Sequence, residues 1–195
     1  SIGCSVKSIG VLAFFGCSEM NAISIPATVN YIGGSAFSYC ENLVSFHVAD
    51  ENQYFASIDG VLFNKHITTL YQYPPKKADE IYIVPDSVTK ISDYAFELCT
   101  TLSQIVLPDS ITSIGNYSFA NCDSLTQVNV PSKVTRISEG AYAGCDRLTE
   151  IVLPDYVTHI DQNAFSSCSS LTVVQIGSNV DQIDDNAFGS CENLR

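Results

Sequence analysis

The sequence predicts a right-handed solenoid, α/β to mainly β, in which one short coil is stacked on itself along the chain. Three observations predict it. A period of 23 residues runs from end to end. Apolar residues fill eight fixed columns of that period, too many to bury within one coil but well placed to bury between stacked coils. One unit of 36 residues breaks the period, after which the register is restored.

Val6, Val29, Val88, Ile111, Val134, Val157 and Val180 set the register. Each step is 23 residues, except that the irregular unit intervenes between Val29 and Val88. Residues 1–195 therefore read as one array, with coils starting near 6, 29, 52, 88, 111, 134, 157 and 180. Three residues after each of these seven markers comes Ile, from Ile9 to Ile183. Further on comes a small residue followed by an aromatic: Ala13-Phe14, Ala36-Phe37, Ala95-Phe96, Ser118-Phe119, Ala141-Tyr142, Ala164-Phe165 and Ala187-Phe188. Cys17, Cys40, Cys99, Cys122, Cys145, Cys168 and Cys191 form the next column, and Leu or Met the one after it.

The segment around Ile105-Val106-Leu107-Pro108 and its copies alternates with period two, as a half-buried strand does. Stacking these copies in parallel gives a sheet on one face, with strands about 4.8 Å apart. The V-x-x-I segment predicts a second short strand. The A-F-x-x-C segment has room for no more than a helical turn, so short helical turns are expected on the other face. Asp93, Asn116 and Asn163 stand at its entry as caps or turn formers. Gly10, Gly33 and Gly115 follow the Ile column, where a left-handed turn is expected.

The irregular coil spans 52–87 and lacks the A-F-x-x-C segment. Its apolar runs on either side of Asn64 to Thr68 predict a β-hairpin, and Ile81 to Pro85 regain the register. Insertions of this kind map to one face of a solenoid, often a binding face. Tyr71 and Tyr73, with Tyr54, read either as exposed anchors or as fillers for the missing Phe and Cys.

Both ends read as mid-array. Ile2-Gly3-Cys4-Ser5-Val6 matches Ile176-Gly177-Ser178-Asn179-Val180, and the chain stops where a strand is due. A parent protein longer in both directions is the expectation.

The 195 residues carry a net charge of −12, and only 15% of them are charged. An acidic surface repels phosphate backbones, so nucleic acid is not an expected partner. No apolar run approaches the ~20 residues that span a bilayer, so no direct membrane insertion is expected in this segment.

The eight cysteines show no C-x-x-C spacing, which argues against zinc. Stacked Cβ vectors are parallel, whereas a disulfide wants a dihedral near ±90°, so the column reads as buried thiols acting as small hydrophobes. His47, His66 and His159 stand in no Ser–acid or Cys–His arrangement, and no phosphate-binding glycine loop is present. Asp161, Asp181, Asp184 and Asp185 read as a solvated acidic edge in preference to a weak calcium site. No catalytic residue, metal or cofactor is expected.

Strand alternation points one set of residues outward from the sheet: Ala22 and Ser24, Ser45 and His47, Gln104 and Val106, Gln127 and Asn129, Glu150 and Val152, Val173 and Gln175. From Ser45 to Gln175 these are the candidate binding residues. Their variation beside near-constant inward columns suits a recognition surface, and suits an idle solvent face as well. Their amides favour hydrogen bonding to a polypeptide or glycan.

The unit, with its A-F-x-x-C and L-x-x-I-x-L-P-x-x-V core, resembles the BspA-like leucine-rich repeats, also called the Treponema pallidum type. The run Asp59-Gly60-Val61-Leu62-Phe63-Asn64-Lys65 through Tyr73-Pro74-Pro75 is similar to a variant coil of that family. The resemblance covers essentially the whole chain and implies a leucine-rich-repeat solenoid from a cell-surface or secreted protein. It implies a non-catalytic module that binds a host or microbial protein or glycoprotein, including host extracellular matrix. A structural spacer and a non-catalytic module of a larger surface protein or enzyme are the alternatives.

Overall fold

The computed structural model describes residues 2–195. In chain order the strands are β1 (Ser8–Ile9), β2 (Ala22–Ile25), β3 (Tyr31–Ile32), β4 (Ser45–Val48), β5 (Phe55–Ile58), β6 (Val61–Asn64), β7 (Thr69–Gln72), β8 (Ile81–Ile83) and β9 (Lys90–Ile91). Then follow β10 (Gln104–Val106), β11 (Ser113–Ile114), β12 (Gln127–Val128), β13 (Arg136–Ile137), β14 (Glu150–Leu153), β15 (His159–Ile160), β16 (Val173–Ile176) and β17 (Gln182–Ile183).

Each ordinary coil repeats one path: a strand, a tight turn, a two-residue strand and a run of turns leading back. The first turn explains the Pro column. Val29, Val88, Ile111, Val134 and Val157 donate their N–H to the carbonyls of Pro26, Pro85, Pro108, Pro131 and Pro154. Proline has no N–H to satisfy there, and its carbonyl closes the turn.

The strands stack in parallel with each residue over its copy one coil away. On the first face β2 pairs with β4, β10 pairs with β8 on one side and β12 on the other, and β14 pairs with β16. On the second face β1 pairs with β3, β9 pairs with β7 and β11 on its two sides, and β15 pairs with β13 and β17 on its two sides.

The third side differs from the expectation of short helical turns. No helix occurs among the described residues. The reason lies in backbone conformation. Two residues per ordinary coil, four apart, have positive φ: Leu12 and Gly16, Ser35 and Tyr39, Tyr94 and Leu98, Tyr117 and Asn121, Gly140 and Gly144, Asn163 and Ser167, Asn186 and Ser190. Left-handed residues at that spacing interrupt a helix and turn N–H groups along the solenoid axis. Tyr94, Phe96 and Leu98 then donate to the carbonyls of Asn116, Ser118 and Ala120 in the next coil, at 2.7–3.0 Å. Tyr117, Phe119 and Asn121 donate likewise to Glu139, Ala141 and Ala143, each at 2.8 Å. The turn face is thus hydrogen-bonded between coils, as the sheets are. The left-handed positions are these, and not Gly10, Gly33 and Gly115, none of which has positive φ.

The irregular coil forms more than one hairpin. β5, β6 and β7 make an antiparallel meander, and β7 continues in parallel into β9. Its first turn is Asp59-Gly60, with φ of 49° and 81°, the two-residue Asp-Gly turn whose twist suits a hairpin. Its second turn is stapled by Asn64, whose Oδ1 accepts from the Thr68 and Thr69 N–H groups at 2.8 and 3.0 Å.

The core fills the interior and is divided at this coil. One cluster runs from Ile9 to Leu62, including Phe37, Cys40 and Phe46. The other runs from Val61 to Ala187. In the second, Tyr73, Phe96, Phe119, Tyr142, Phe165 and Phe188 stack face to face with centroids 5.1–5.3 Å apart. Such contacts add to the area that the rings bury.

Candidate functional site

Alternation along the first sheet sends Ile105, Ile151 and Leu153 into the core and leaves their neighbours outside. Register then aligns the outward residues in two rows. Ile81, Gln104 and Gln127 share one row, and Ile83 and Val106 share the other. Glu150 over Val173 and Val152 over Gln175 continue the pattern on β14 and β16. Gln104, Val106, Gln127, Asn129, Glu150 and Val152 together line one shallow groove of about 670 Å³. Gln127, Asn129, Glu150, Val152, Val173 and Gln175 are exposed, and Gln104 and Val106 are half-buried.

Three of these side chains are already engaged. Asn129 accepts from the Leu107 N–H at 2.9 Å and donates to the Leu107 carbonyl at 2.7 Å. It replaces a rung of the backbone ladder, and β12 ends just before it. Gln175 donates to Glu150 Oε1 at 3.1 Å. Ser45 and His47 lie elsewhere. They belong to β4, which pairs only with β2 in its sheet, and they bond to each other at 3.0 Å. The irregular coil separates them from the groove.

Sequence reasoning missed Ile81 and Ile83, which are 55% and 69% exposed at the edge of the same face. The signal was available: β8 regains the register, so its outward residues belong to the stripe. Val152 and Val173, at 50% and 43% exposed, extend this apolar component.

Tyr73 is not a surface anchor. It is fully buried, its ring stacks on Phe96 at 5.3 Å, and its N–H donates to the Ala95 carbonyl at 2.7 Å. It stands one period before Phe96 and starts the second aromatic column, so the irregular coil keeps the aromatic position that its sequence seemed to lack. Its hydroxyl donates to Asp79 at 2.8 Å, and Lys77 pairs with the same carboxylate. Burial holds the phenol well above its ordinary range. Tyr71 is half-buried against Phe55, with centroids 5.5 Å apart, and Tyr54 is exposed.

All eight cysteines are free thiols. Cys40, Cys99, Cys122, Cys145 and Cys168 are buried, Cys191 is half-buried, and Cys4 and Cys17 are exposed. The column has a polar role that its spacing does not reveal. Cys40, Cys122, Cys145, Cys168 and Cys191 donate through sulfur to the carbonyl of the aromatic residue one coil earlier, at 3.1–3.2 Å. Burial pushes the Cys40 thiol up to about 11 and Cys168 up to about 12.

No group of three or more metal-ligating side chains occurs among the described residues. Asp161 pairs with Arg136 at 2.7 Å, Gln182 donates to Asp184 at 2.6 Å, and His159 lies 3.7 Å from Asp181. Among the described residues no helix is long and apolar enough to cross a membrane.

The model of the BspA type leucine rich repeat region matches residues 1–81 and 71–195, in six copies. The chain belongs to the BspA-type leucine-rich repeat family. Among solved structures, it is similar to a leucine-rich cell surface protein from Faecalibacterium prausnitzii, with 34% identity and a TM-score of 0.94. That match covers 99% of this chain and 51% of the other. The pneumococcal vaccine antigen PcpA is 26% identical with a TM-score of 0.85, over 98% of this chain and 47% of its own. The Treponema pallidum leucine-rich repeat protein is 26% identical with a TM-score of 0.59, over 97% and 72%. The chain thus spans about half the length of the first two. No curated protein sequence matches it.

Proposed function

We propose that this leucine-rich repeat chain is a non-catalytic recognition module of a cell-surface or secreted protein, and that it binds a protein or glycoprotein through the first sheet face. The observation that carries the reading is the groove on that face. Six of the candidate residues line it together, with amides between apolar flanks supplied by Ile81, Ile83 and Val152. Interfaces combine these features: exposed apolar surface supplies area, and amides fix register. The surface assignment draws on the Faecalibacterium prausnitzii cell surface protein. Stacked repeats that present one shallow, extended face are a usual platform for polypeptide ligands.

The test is binding of the purified chain to immobilised fibronectin, laminin and fibrinogen, with and without Gln104→Ala, Gln127→Ala and Ile83→Ser combined. The expected result is saturable binding to at least one of them, weakened about tenfold or more by the triple variant at unchanged melting temperature. Binding that the triple variant leaves intact would place the ligand elsewhere. No binding to the three probes, together with antibody labelling of source cells only after permeabilisation, would overturn the surface-recognition reading.

A further inference from the structure

The irregular coil leaves a second opening, on the turn face and away from the sheet. Ordinary coils carry three backbone rungs there, but the irregular coil makes only the Tyr73 to Ala95 backbone rung to the coil after it, among the described residues, with the Gln72 side chain donating to the Tyr94 carbonyl at 3.1 Å beside it. The coils on either side are held apart at that level. Between them is an open cleft of about 450 Å³. Phe15 and Tyr39 border it from before the irregular coil, with centroids 5.1 Å apart. Tyr94 and Tyr117 border it from after, stacked at 5.3 Å. Glu97 also lines it, yet is only 3% exposed, and neither its Oε2 nor the Oγ of Ser38 beside it has a hydrogen-bond partner among the described residues.

We propose that this cleft binds an organic ammonium group, taking the cation between the aromatic rings and against the Glu97 carboxylate. Ring faces attract a cation within about 6 Å, most strongly where water is excluded. A buried carboxylate with a free oxygen has an unmet demand for a positive partner. No Lys, Arg or His lines the cleft. Ser38 and Tyr39, from the coil before the irregular one, and Tyr94, from its own coil, face Glu97. Around the same cleft Glu41 stands by Tyr39, Asp93 by Tyr94, and Glu139 by Tyr94 and Tyr117. None of these groups is cationic, and the carboxylates of Glu41, Asp93 and Glu139 make the local potential negative. The cleft lies apart from the sheet groove, and the proposal does not depend on the function assigned to that groove.

The electrostatics of the site add a second readout. Burial pushes the Glu97 carboxyl up to about 7, against the opposing pull of Ser38 and the Tyr39 backbone beside it. An ammonium group binds the ionised form, so affinity should rise with pH through about 7 and level off above it. Below that pH, binding should release a proton to solvent.

The test is calorimetric titration of the intact chain with n-butylammonium, tetramethylammonium and the blocked peptide acetyl-Gly-Lys-Gly-amide. Wild type is compared with Glu97→Gln and Tyr94→Leu at pH 6 and pH 8. Saturable binding of at least one probe is expected, stronger at pH 8 and weakened about tenfold or more by Glu97→Gln. Tightest binding of the lysine peptide would assign the cleft to a partner's lysine side chain. Tightest binding of tetramethylammonium would assign it to a quaternary ammonium ligand. No saturable binding by any probe overturns the proposal, as does binding that is independent of pH in wild type. The pH comparison stands even if Glu97→Gln folds poorly.

Discussion

Cys122 lies under the Phe96 carbonyl at 3.1 Å, and Cys145 lies under Phe119 at 3.2 Å. The N–H groups of those aromatics serve the turn ladder to the next coil, whereas their carbonyls are met by the thiols. A thiol is small and apolar enough for the core, yet still a weak donor. Alanine in place of Cys145 would leave the Phe119 carbonyl unpaired, whereas the Phe96 carbonyl under Cys122 would keep the Cys99 N–H at 3.1 Å. Desolvation keeps these thiols protonated in the native state, with Cys40 at about 11 and Cys168 at about 12 against an ordinary 9. The native state then holds protons that the unfolded chain has already lost, so stability falls as pH rises above about 9. Reactivity should follow burial. A disulfide reagent at pH 8 should label the exposed Cys4 and Cys17 quickly, label the half-buried Cys191 more slowly, and reach all eight only in denaturant. Fast labelling of five or more thiols in the native protein would show that the column is open to solvent.

At the scale of elements, the irregular coil is held at its entry by one side chain. Asn52 is fully buried. It donates to the carbonyls of Pro26 and Val29 at 2.9 Å and accepts from the N–H groups of Tyr54 and Phe55 at 2.8 Å. All its polar capacity is used, and it joins the ordinary coil to the meander. Asn52→Ala would orphan three backbone groups, since the Pro26 carbonyl keeps the Val29 N–H, with an expected cost of about 2–4 kcal/mol by chemical denaturation. A loss below about 0.5 kcal/mol would mean that water replaces the amide there.

The period made the side-chain columns legible, because burial between coils demands the same residue type at the same place. It said less about the backbone. The left-handed pairs are Leu12 and Gly16, Tyr94 and Leu98, or Asn163 and Ser167, and residue types this varied give no common signal. The turn ladder was therefore invisible, and the segment read as helical. The meander and Tyr73 were within reach: Asp59-Gly60 is a hairpin signal, and Tyr73 stands one period before Phe96. Both were obscured by looking for an A-F-x-x-C motif when only its aromatic remained. In the candidate site, alternation fixed which residues face out. It did not reveal that Asn129 is tied to Leu107, or that β8 adds Ile81 and Ile83 to the stripe.

Over the whole molecule, stability is distributed by coil, since each coil packs chiefly on its neighbours. The core breaks into two clusters at the irregular coil, and the aromatic stack breaks with it. Phe14 and Phe37 stack at 5.5 Å on one side, and the column from Tyr73 to Phe188 stands on the other. Across the boundary the coils are joined mainly by the meander, where Phe46 donates to the Gly60 carbonyl at 2.8 Å and β7 pairs with β9. Two cooperative units are expected to result. Phe37 and Phe119 are both buried, and truncating either to Ala should cost about 3–5 kcal/mol through an unfilled cavity. The cost should stay local. In native-state hydrogen exchange, Phe37→Ala should lower protection of β2, β3 and β4 while β10 to β15 keep theirs, and Phe119→Ala should do the reverse. If either substitution lowers protection evenly along the chain, the meander couples the two cores into one unit, and the split in packing has no counterpart in folding.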